Sequence, residues 1–136
     1  RAKTTTIKRT TTKKPVVPAK KSPVVTTASG LTYIITQAGT GAWLKAGDTV
    51  SVHYTGLLTN GLKFDSSLDR GEPFPFQLGA GKVIKGWDEG VQKLRVGDRA
   101  TFFIPPQIAY GARGAGNGVI PPDAMLIFII EVVGVQ

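Results

Sequence analysis

Hydrophobic and polar positions alternate in short runs from Leu31 onward, and glycines separate the runs. In the stretch Thr49–Leu58, the apolar Val50, Val52 and Tyr54 alternate with polar neighbours. This period-two pattern is typical of a strand that buries one face. Short β-like runs between glycine turns predict a domain that is rich in sheet.

A hairpin and several further strands follow from the same pattern. Asn60-Gly61 comes next in the chain, and both residue types tolerate the positive φ of a tight turn, which predicts a hairpin into Lys63–Ser66. Glu72–Leu78 contains two prolines, so a strand there must be irregular or lie at an edge. The other predicted strands are Thr32–Gln37, Arg99–Ile104 and Met125–Val135.

One helix is predicted where Trp87, Val91 and Leu94 recur at the i, i+4, i+7 spacing. Acidic residues occupy its first turn and basic residues its last, as the helix dipole favours. Gly97 is the predicted stop, because glycine readily adopts the left-handed conformation. The segment from Pro105 to Pro122 is predicted to be a long loop. Loops of this length without regular structure are usually functional. This order of elements indicates an α+β fold, an antiparallel sheet packed across a single helix.

The net charge of the chain is concentrated at its beginning. Residues 1–29 contain eight Lys or Arg and no Asp or Glu, whereas residues 30–136 contain nine of each. Since residues 1–29 also lack aromatics, they bury too little apolar surface to offset the entropy of ordering. We predict a disordered basic linker or tail over residues 1–29 and one domain over residues 30–136. The clustered basic residues would also permit contact with a polyanion.

Composition excludes several kinds of site. Cysteine is absent, which rules out disulfides, thiolate metal ligands and a cysteine nucleophile. His53, the single histidine, lies on the polar side of its strand with no serine-centred or metal-ligand motif nearby, so it is either a surface residue or a support for a pocket. The glycines of residues 78–82 lack the ending of a phosphate-binding loop. No apolar run is long enough to span a membrane, and the compartment stays open between cytoplasm and periplasm.

Aromatic residues recur along the domain and would form either ordinary core or the walls of a pocket. Aromatic walls with a few polar groups are typical of a site for a small molecule or peptide. The residues concerned are Tyr54, Phe64, Phe74, Phe76, Trp87, Tyr110 and Phe128.

Five short motifs follow one another along the domain. They are Val52-His53-Tyr54-Thr55-Gly56, Gly61-Leu62-Lys63-Phe64-Asp65-Ser66-Ser67, Val83-Ile84-Lys85-Gly86-Trp87, Ala109-Tyr110-Gly111 and Val119-Ile120-Pro121-Pro122. In order and spacing they resemble the motifs of the FKBP-type peptidyl-prolyl isomerases. The resemblance covers residues 30–136. It implies a five- to six-stranded antiparallel sheet curved around one short α-helix, with a pocket between the helix and the concave face.

The resemblance also implies the roles of individual residues. Trp87 would be the floor of a proline-binding pocket, and Asp65 would orient polar neighbours or merely cap the turn that follows it. The implied catalytic residues are Tyr54, Phe64, Asp65, Trp87, Tyr110 and Phe128. Contacts to substrate or to a macrolide would come from Phe74, Val83, Ile84, Val119 and Ile120.

The implied function is accelerated rotation of X-Pro peptide bonds during protein folding, with no metal or cofactor. The expected partners are proline-containing polypeptides and macrolide inhibitors such as tacrolimus and rapamycin, and we expect a monomeric domain of a larger chain. Two alternatives stay open. One is a non-catalytic peptide-binding chaperone or scaffold module, and the other is a nucleic-acid-associated protein recruited by the basic tail.

Strand alternation places Ile127 and Ile129 opposite the pocket-facing Phe128. We hypothesise an apolar outer patch that another domain, a second copy or the tail segments Val16-Val17 and Val24-Val25 would cover. The alternative is a set of scattered exposed apolar residues, which are common on protein surfaces.

Overall fold

Seven antiparallel strands form one sheet in the computed structural model, which describes residues 24–136. The predicted fold class is confirmed, with one strand more than the largest number expected. The order across the sheet is β1-β2-β6-β7-β3-β4, and β5 pairs with β3 next to β4. In chain order the strands are β1 (Val24–Thr26), β2 (Thr32–Gln37), β3 (Thr49–Leu58), β4 (Lys63–Ser66), β5 (Phe74–Gln77), β6 (Arg99–Ile104) and β7 (Leu126–Val135).

The strands β3 and β7 pair along nearly their whole length at the centre of the sheet. Tyr54 lies opposite Ile130, and Gly56 lies opposite Phe128. Burial alternates residue by residue along β3, as the period-two pattern predicted. We call the face that carries these four residues and packs against the helix the inner face, and the opposite one the outer face.

The helix α1 spans Lys85–Gly90 and continues as a 3₁₀ turn over Val91–Lys93. The prediction of a helix here is confirmed, but the predicted stop at Gly97 is wrong. Leu94 already has an extended backbone, and its carbonyl accepts a hydrogen bond from the Leu44 N–H at 3.1 Å. Within residues 24–136, no helix is long and apolar enough to cross a membrane.

Two glycines allow α1 to lie directly against the inner face. A Cβ at Gly86 would come within 2.6 Å of the Ile104 side chain, and a Cβ at Gly90 within 2.8 Å of the Phe102 ring. A larger residue at either position would therefore push the helix away from the sheet. The close approach seats Trp87 in the core, where only 4% of its surface is exposed.

The strand β1 lies inside the segment predicted to be a linker, and it pairs in register with β2. Residues 24–29, the part of that segment which the structure describes, are therefore attached to the domain. Residues 1–23 lie outside the described residues, and so do the disorder and the polyanion contact predicted for them. Val24 and Val25 extend the edge of the sheet, which corrects the hypothesis that they pack over the outer patch. The other segment named for that role, Val16-Val17, lies outside the described residues.

The connection between β6 and β7 corresponds to the predicted long loop. It contains two short 3₁₀ turns, Pro106–Ile108 and Gly116–Gly118. Ala115 and Ile120 form an isolated β-bridge that closes the far part of the loop. Between these features the loop carries Tyr110 to the cavity described next.

Candidate functional site

A cavity of about 320 Å³ opens between the start of α1 and the inner face of the sheet. Strands β3, β4, β5 and β7, the segment around α1 and the β6–β7 loop all contribute side chains to it. An apolar cavity with a few polar groups suits an apolar ring that carries polar substituents. The lining residues are Tyr54, Phe64, Asp65, Phe74, Lys82, Val83, Ile84, Trp87, Tyr110 and Phe128.

Trp87 is surrounded by aromatic rings in edge-to-face contact. The ring centroid of Tyr54 lies 5.0 Å away with an interplanar angle of 75°, and that of Phe128 lies 5.2 Å away at 85°. This is the preferred geometry for aromatic pairs. The buried Trp87 Nε1 has no hydrogen-bond partner among the described residues, so the indole is held by packing alone.

Gly56 makes room for two of the cavity rings. Phe64 and Phe128 meet at right angles with their centroids 5.6 Å apart. A Cβ on Gly56 would lie 2.6 Å from the Phe64 ring and 2.8 Å from the Phe128 ring. Any side chain at this position of β3 would therefore displace the rings.

Asp65, Tyr54 and Arg70 form a closed hydrogen-bonded group at the rim. The Tyr54 hydroxyl donates to Asp65 Oδ2 at 2.6 Å, while Arg70 donates to Asp65 Oδ1 at 3.0 Å and to the Tyr54 hydroxyl oxygen at 2.9 Å. Burial raises the pKa of Asp65, but the hydrogen bonds from Tyr54 and Arg70 more than offset it and hold this pKa below its ordinary value. Burial, followed by the hydrogen bond to Asp65, raises the pKa of Tyr54. At neutral pH the rim therefore holds an ionised carboxylate and a neutral phenol.

Two serines fix the backbone beside Asp65. Ser66 caps the 3₁₀ turn that follows by accepting a main-chain N–H at 3.2 Å, so the capping role considered for Asp65 falls to its neighbour. The fully buried Ser67 accepts a hydrogen bond from the Tyr54 N–H at 2.8 Å. His53 Nδ1 lies 2.9 Å from the same hydroxyl oxygen, so the single histidine supports the rim from the outer face and does not line the cavity.

Tyr110 and Ile84 bring further polar groups to the cavity. Tyr110 is 39% exposed, and burial, followed by the charge of Asp65, raises its pKa. Its hydroxyl group makes no hydrogen bond to any residue of the described part. The main-chain N–H of Ile84, at the N-terminus of α1, likewise has no hydrogen-bond partner in residues 24–136. Both donors are free to meet a ligand.

The structure brings together nine of the eleven residues predicted for the site. The two exceptions are Val119 and Ile120, which do not line the cavity. Ile120 is 6% exposed and belongs to the core, whereas the side chain of Val119 is 49% exposed. For Phe76 the sequence left open whether the ring belongs to the core or to the pocket. The structure buries it in the core, with its ring centroid 5.6 Å from that of Trp87.

Two residues of the site were not predicted. Arg70 follows Asp65 by five positions and reaches back across the 3₁₀ turn, a contact that no strand or helix periodicity would signal. Lys82 lines the cavity and directly precedes Val83-Ile84. Its position next to two predicted site residues was the available signal.

The family described as FKBP-type peptidyl-prolyl cis-trans isomerase matches residues 41–133. The chain belongs to this family. An FKBP-type peptidyl-prolyl cis-trans isomerase of Aeromonas hydrophila, FkpA, is 52% identical over 118 residues, which are 87% of this chain and 42% of that protein. FK506-binding protein 1 of Dictyostelium discoideum is 54% identical over 104 residues, which are 76% of this chain and 96% of that protein.

Solved structures of FKBP proteins show the same fold. FkpA from Escherichia coli superposes with a TM-score of 0.78 at 42% identity, over 87% of this chain and 54% of that one. AtFKBP13 superposes with a TM-score of 0.79 at 40% identity, over 83% of this chain and 98% of that one. The chain thus spans about half the length of the FkpA proteins and nearly all of the Dictyostelium FK506-binding protein 1 and of AtFKBP13.

Proposed function

We propose that this domain accelerates cis-trans isomerisation of X-Pro peptide bonds by binding them without covalent chemistry in the aromatic cavity. The observation that carries the proposal is the cavity itself, which has the buried Trp87 as its floor and the Asp65–Tyr54–Arg70 group at its rim. Membership of a family of prolyl isomerases supports the same activity.

The physical problem is rotation about a partial double bond. Resonance keeps the X-Pro amide planar, and the barrier to rotation is about 18–20 kcal/mol. The twisted transition state loses that resonance and with it much of the amide dipole. A cavity walled by aromatic rings solvates the planar, polar amide less well than water does, so it favours the twisted form.

We assign the prolyl ring to the apolar walls of the cavity. Trp87, Phe64 and Phe128 would hold the ring, since their edge-to-face packing leaves a rigid apolar surface. The free Tyr110 hydroxyl and Ile84 N–H would donate hydrogen bonds to substrate carbonyls. These anchors would keep the peptide in register while the bond between them turns.

The rim group would orient its neighbours and supply a field. Its Asp65 has a lowered pKa, and a carboxylate that stays ionised at neutral pH is a poor proton donor. Each tenfold acceleration requires about 1.4 kcal/mol, so a gain of about 10⁴–10⁶ requires about 5–8 kcal/mol. Desolvation, orientation and two hydrogen bonds are together of this size.

We further propose that tacrolimus occupies the same cavity. Relatives that carry the name FK506-binding protein, from Dictyostelium discoideum and Saccharomyces cerevisiae, are 54% identical to this chain over the aligned residues. Competition between drug and peptide would place both at the aromatic walls.

A coupled isomerisation assay tests the proposal. The chain is expected to accelerate isomerisation of a short X-Pro peptide, tacrolimus should block it, and Phe64→Ala should weaken turnover. Ile129→Ala, on the outer face of the same sheet, is the matched control and should leave turnover near that of the parent chain. Peptide or drug binding without any acceleration would instead identify a non-catalytic binding module and contradict the proposal.

A further inference from the structure

Lys82 is the one lysine among the residues that line the cavity in the described part of the chain. Its side chain is exposed, and it forms no ion pair with any residue of 24–136, where the ion pairs are Lys45–Asp48, Lys63–Asp69 and Arg70–Asp65. Its charge is therefore available to whatever enters the cavity.

The other charges at the rim compensate each other. Both carboxylate oxygens of Asp65 are occupied, one by Arg70 and the other by the Tyr54 hydroxyl. The guanidinium and the carboxylate lie only 3.0 Å apart, so each has an opposite charge as its partner, although the charge of Asp65 still acts on Tyr110. Within residues 24–136, Lys82 is the charged residue of the cavity lining that has no ion-pair partner.

The acidic residue closest in sequence to Lys82 is Asp88, and its carboxylate does not pair with the lysine. Asp88 accepts hydrogen bonds from the main-chain N–H groups of Gly79 and Gly81, at 2.9 and 3.0 Å. These bonds hold the turn that leads into Lys82, so the lysine is carried on a fixed backbone. Lys85, also exposed and without an ion pair in residues 24–136, adds a second positive charge two residues beyond Val83.

We infer that Lys82 makes this pocket select prolines that are flanked by an acidic side chain. The inference rests on the proposed isomerase activity, because the selected peptide must first place its proline in the cavity. A Glu or Asp next to the proline would lie at the lip, within reach of the flexible lysine side chain. Since the partners are solvent-exposed, the effect is expected to be small and sensitive to salt.

The test compares peptides that differ only beside the proline, with Glu, Gln or Lys either before or after it. At low ionic strength the Glu peptide should exceed the Gln peptide in kcat/KM by about two- to fivefold in at least one position, with the Lys peptide lowest. The preference should appear mainly in KM and shrink at about 0.5 M salt.

Charge reversal then assigns the preference to one residue. Lys82→Glu should abolish or invert the order of the peptides. Lys93→Glu makes the same change in net charge at an exposed lysine that does not line the cavity, and it should keep the parent order. A parent chain that isomerises the Gln peptide with no preference for Glu at either position, or a preference that survives Lys82→Glu, overturns this inference alone. Failure to isomerise any peptide overturns the proposed function and this inference with it.

Discussion

The two faces of β3 and β7 differ in character although the same ten-residue strands build both. The inner face carries Tyr54, Phe128 and the gap left by Gly56, and a cavity forms over it. The outer face carries Ile129 and His53, which are half-buried, and no part of α1 covers it. Strand alternation therefore places the aromatic rings of β3 and β7 on one face and His53 and Ile129 on the other.

The inner face becomes a site because other elements converge on it. The helix supplies Trp87, β4 supplies Phe64 and Asp65, and the β6–β7 loop supplies Tyr110. On the outer face, Leu68 of the 3₁₀ turn Ser67–Arg70 lines a second cavity with His53 and Ile129, but this turn brings no aromatic side chain to it. The site therefore depends on the side chains that these elements deliver to the sheet, whereas the sheet provides the rigid backing.

The largest expected effect comes from removing the floor of the inner cavity. Trp87→Ala deletes a side chain that is 4% exposed, and truncation of a buried tryptophan costs about 3–5 kcal/mol. We expect that loss in the free energy of unfolding, together with loss of prolyl-isomerase activity. Urea unfolding followed by circular dichroism, and the coupled assay, measure the two effects.

The second tryptophan provides the matched control. Trp43 is 62% exposed, and the guanidinium of Arg95 lies 4.6 Å from the centroid of the Trp43 ring. Trp43→Ala should cost about 1 kcal/mol or less, the size of an exposed cation–π contact, with turnover unchanged. Equal destabilisation by the two substitutions would contradict the contrast drawn between them.

A methyl group added at Gly56 should damage the cavity with a smaller loss of stability. Its Cβ would overlap the Phe64 and Phe128 rings at 2.6 and 2.8 Å, and overpacking of this kind costs about 1–3 kcal/mol. Because these rings wall the cavity, we expect kcat/KM to fall by about tenfold or more. Gly134→Ala on β7 is the control, since a Cβ there meets nothing within 4 Å, and it should change neither measurement appreciably.

Much of the fold could be predicted because the decisive patterns are local. Alternation along β3, the Asn60-Gly61 turn and the spacing of Trp87 and Val91 each depend on neighbouring residues only. The strand β1 could not be found this way, because three residues in a basic, aromatic-free stretch show no periodicity. The end of α1 was also misplaced, since the pairing of Leu94 with Leu44 is a long-range contact that ends the helix early.

The aromatic part of the site was predictable for a different reason. Large aromatic side chains next to glycine-containing motifs are conspicuous in a sequence, and the resemblance to a family ordered them. The Arg70 hydrogen bonds depend on a side chain that turns back over a 3₁₀ turn, and the burial of Ile120 depends on how the long loop closes. Both are consequences of three-dimensional packing.

Adjacent isoleucines on β7 give a direct comparison of the faces. Ile130 is fully buried on the inner face and Ile129 is half-buried on the outer face. Ile130→Thr would bury a hydroxyl without a prepared partner, at a cost of about 1–3 kcal/mol. Ile129→Thr should cost about 0.8 kcal/mol or less, the value of one buried CH₂ group. Thermal unfolding of the two variants checks this order, and a larger loss for Ile129→Thr would show that the outer face is covered.

The smallest expected effect concerns the ionised rim of the inner face at acid pH. The pKa of Asp65 is lower in the folded protein than its ordinary value, so the unfolded chain takes up this proton first as the pH falls. The stabilisation is complete above the ordinary aspartate pKa of about 4 and is lost as the pH falls through the lowered pKa. Asp65→Asn should therefore flatten the acid side of a stability-against-pH curve measured by urea unfolding.

The control for this effect is Asp69→Asn, which removes a carboxylate whose ion pair with Lys63 at 3.0 Å is exposed on both sides. Since no tyrosine donates to Asp69, its removal should leave the acid side closer to that of the parent chain. Identical curves for Asp65→Asn and the parent chain would mean that the hydrogen bonds from Tyr54 and Arg70 do not lower the pKa of Asp65 in the folded protein. The rim of the inner face would then be no better ordered than an exposed ion pair on the rest of the surface.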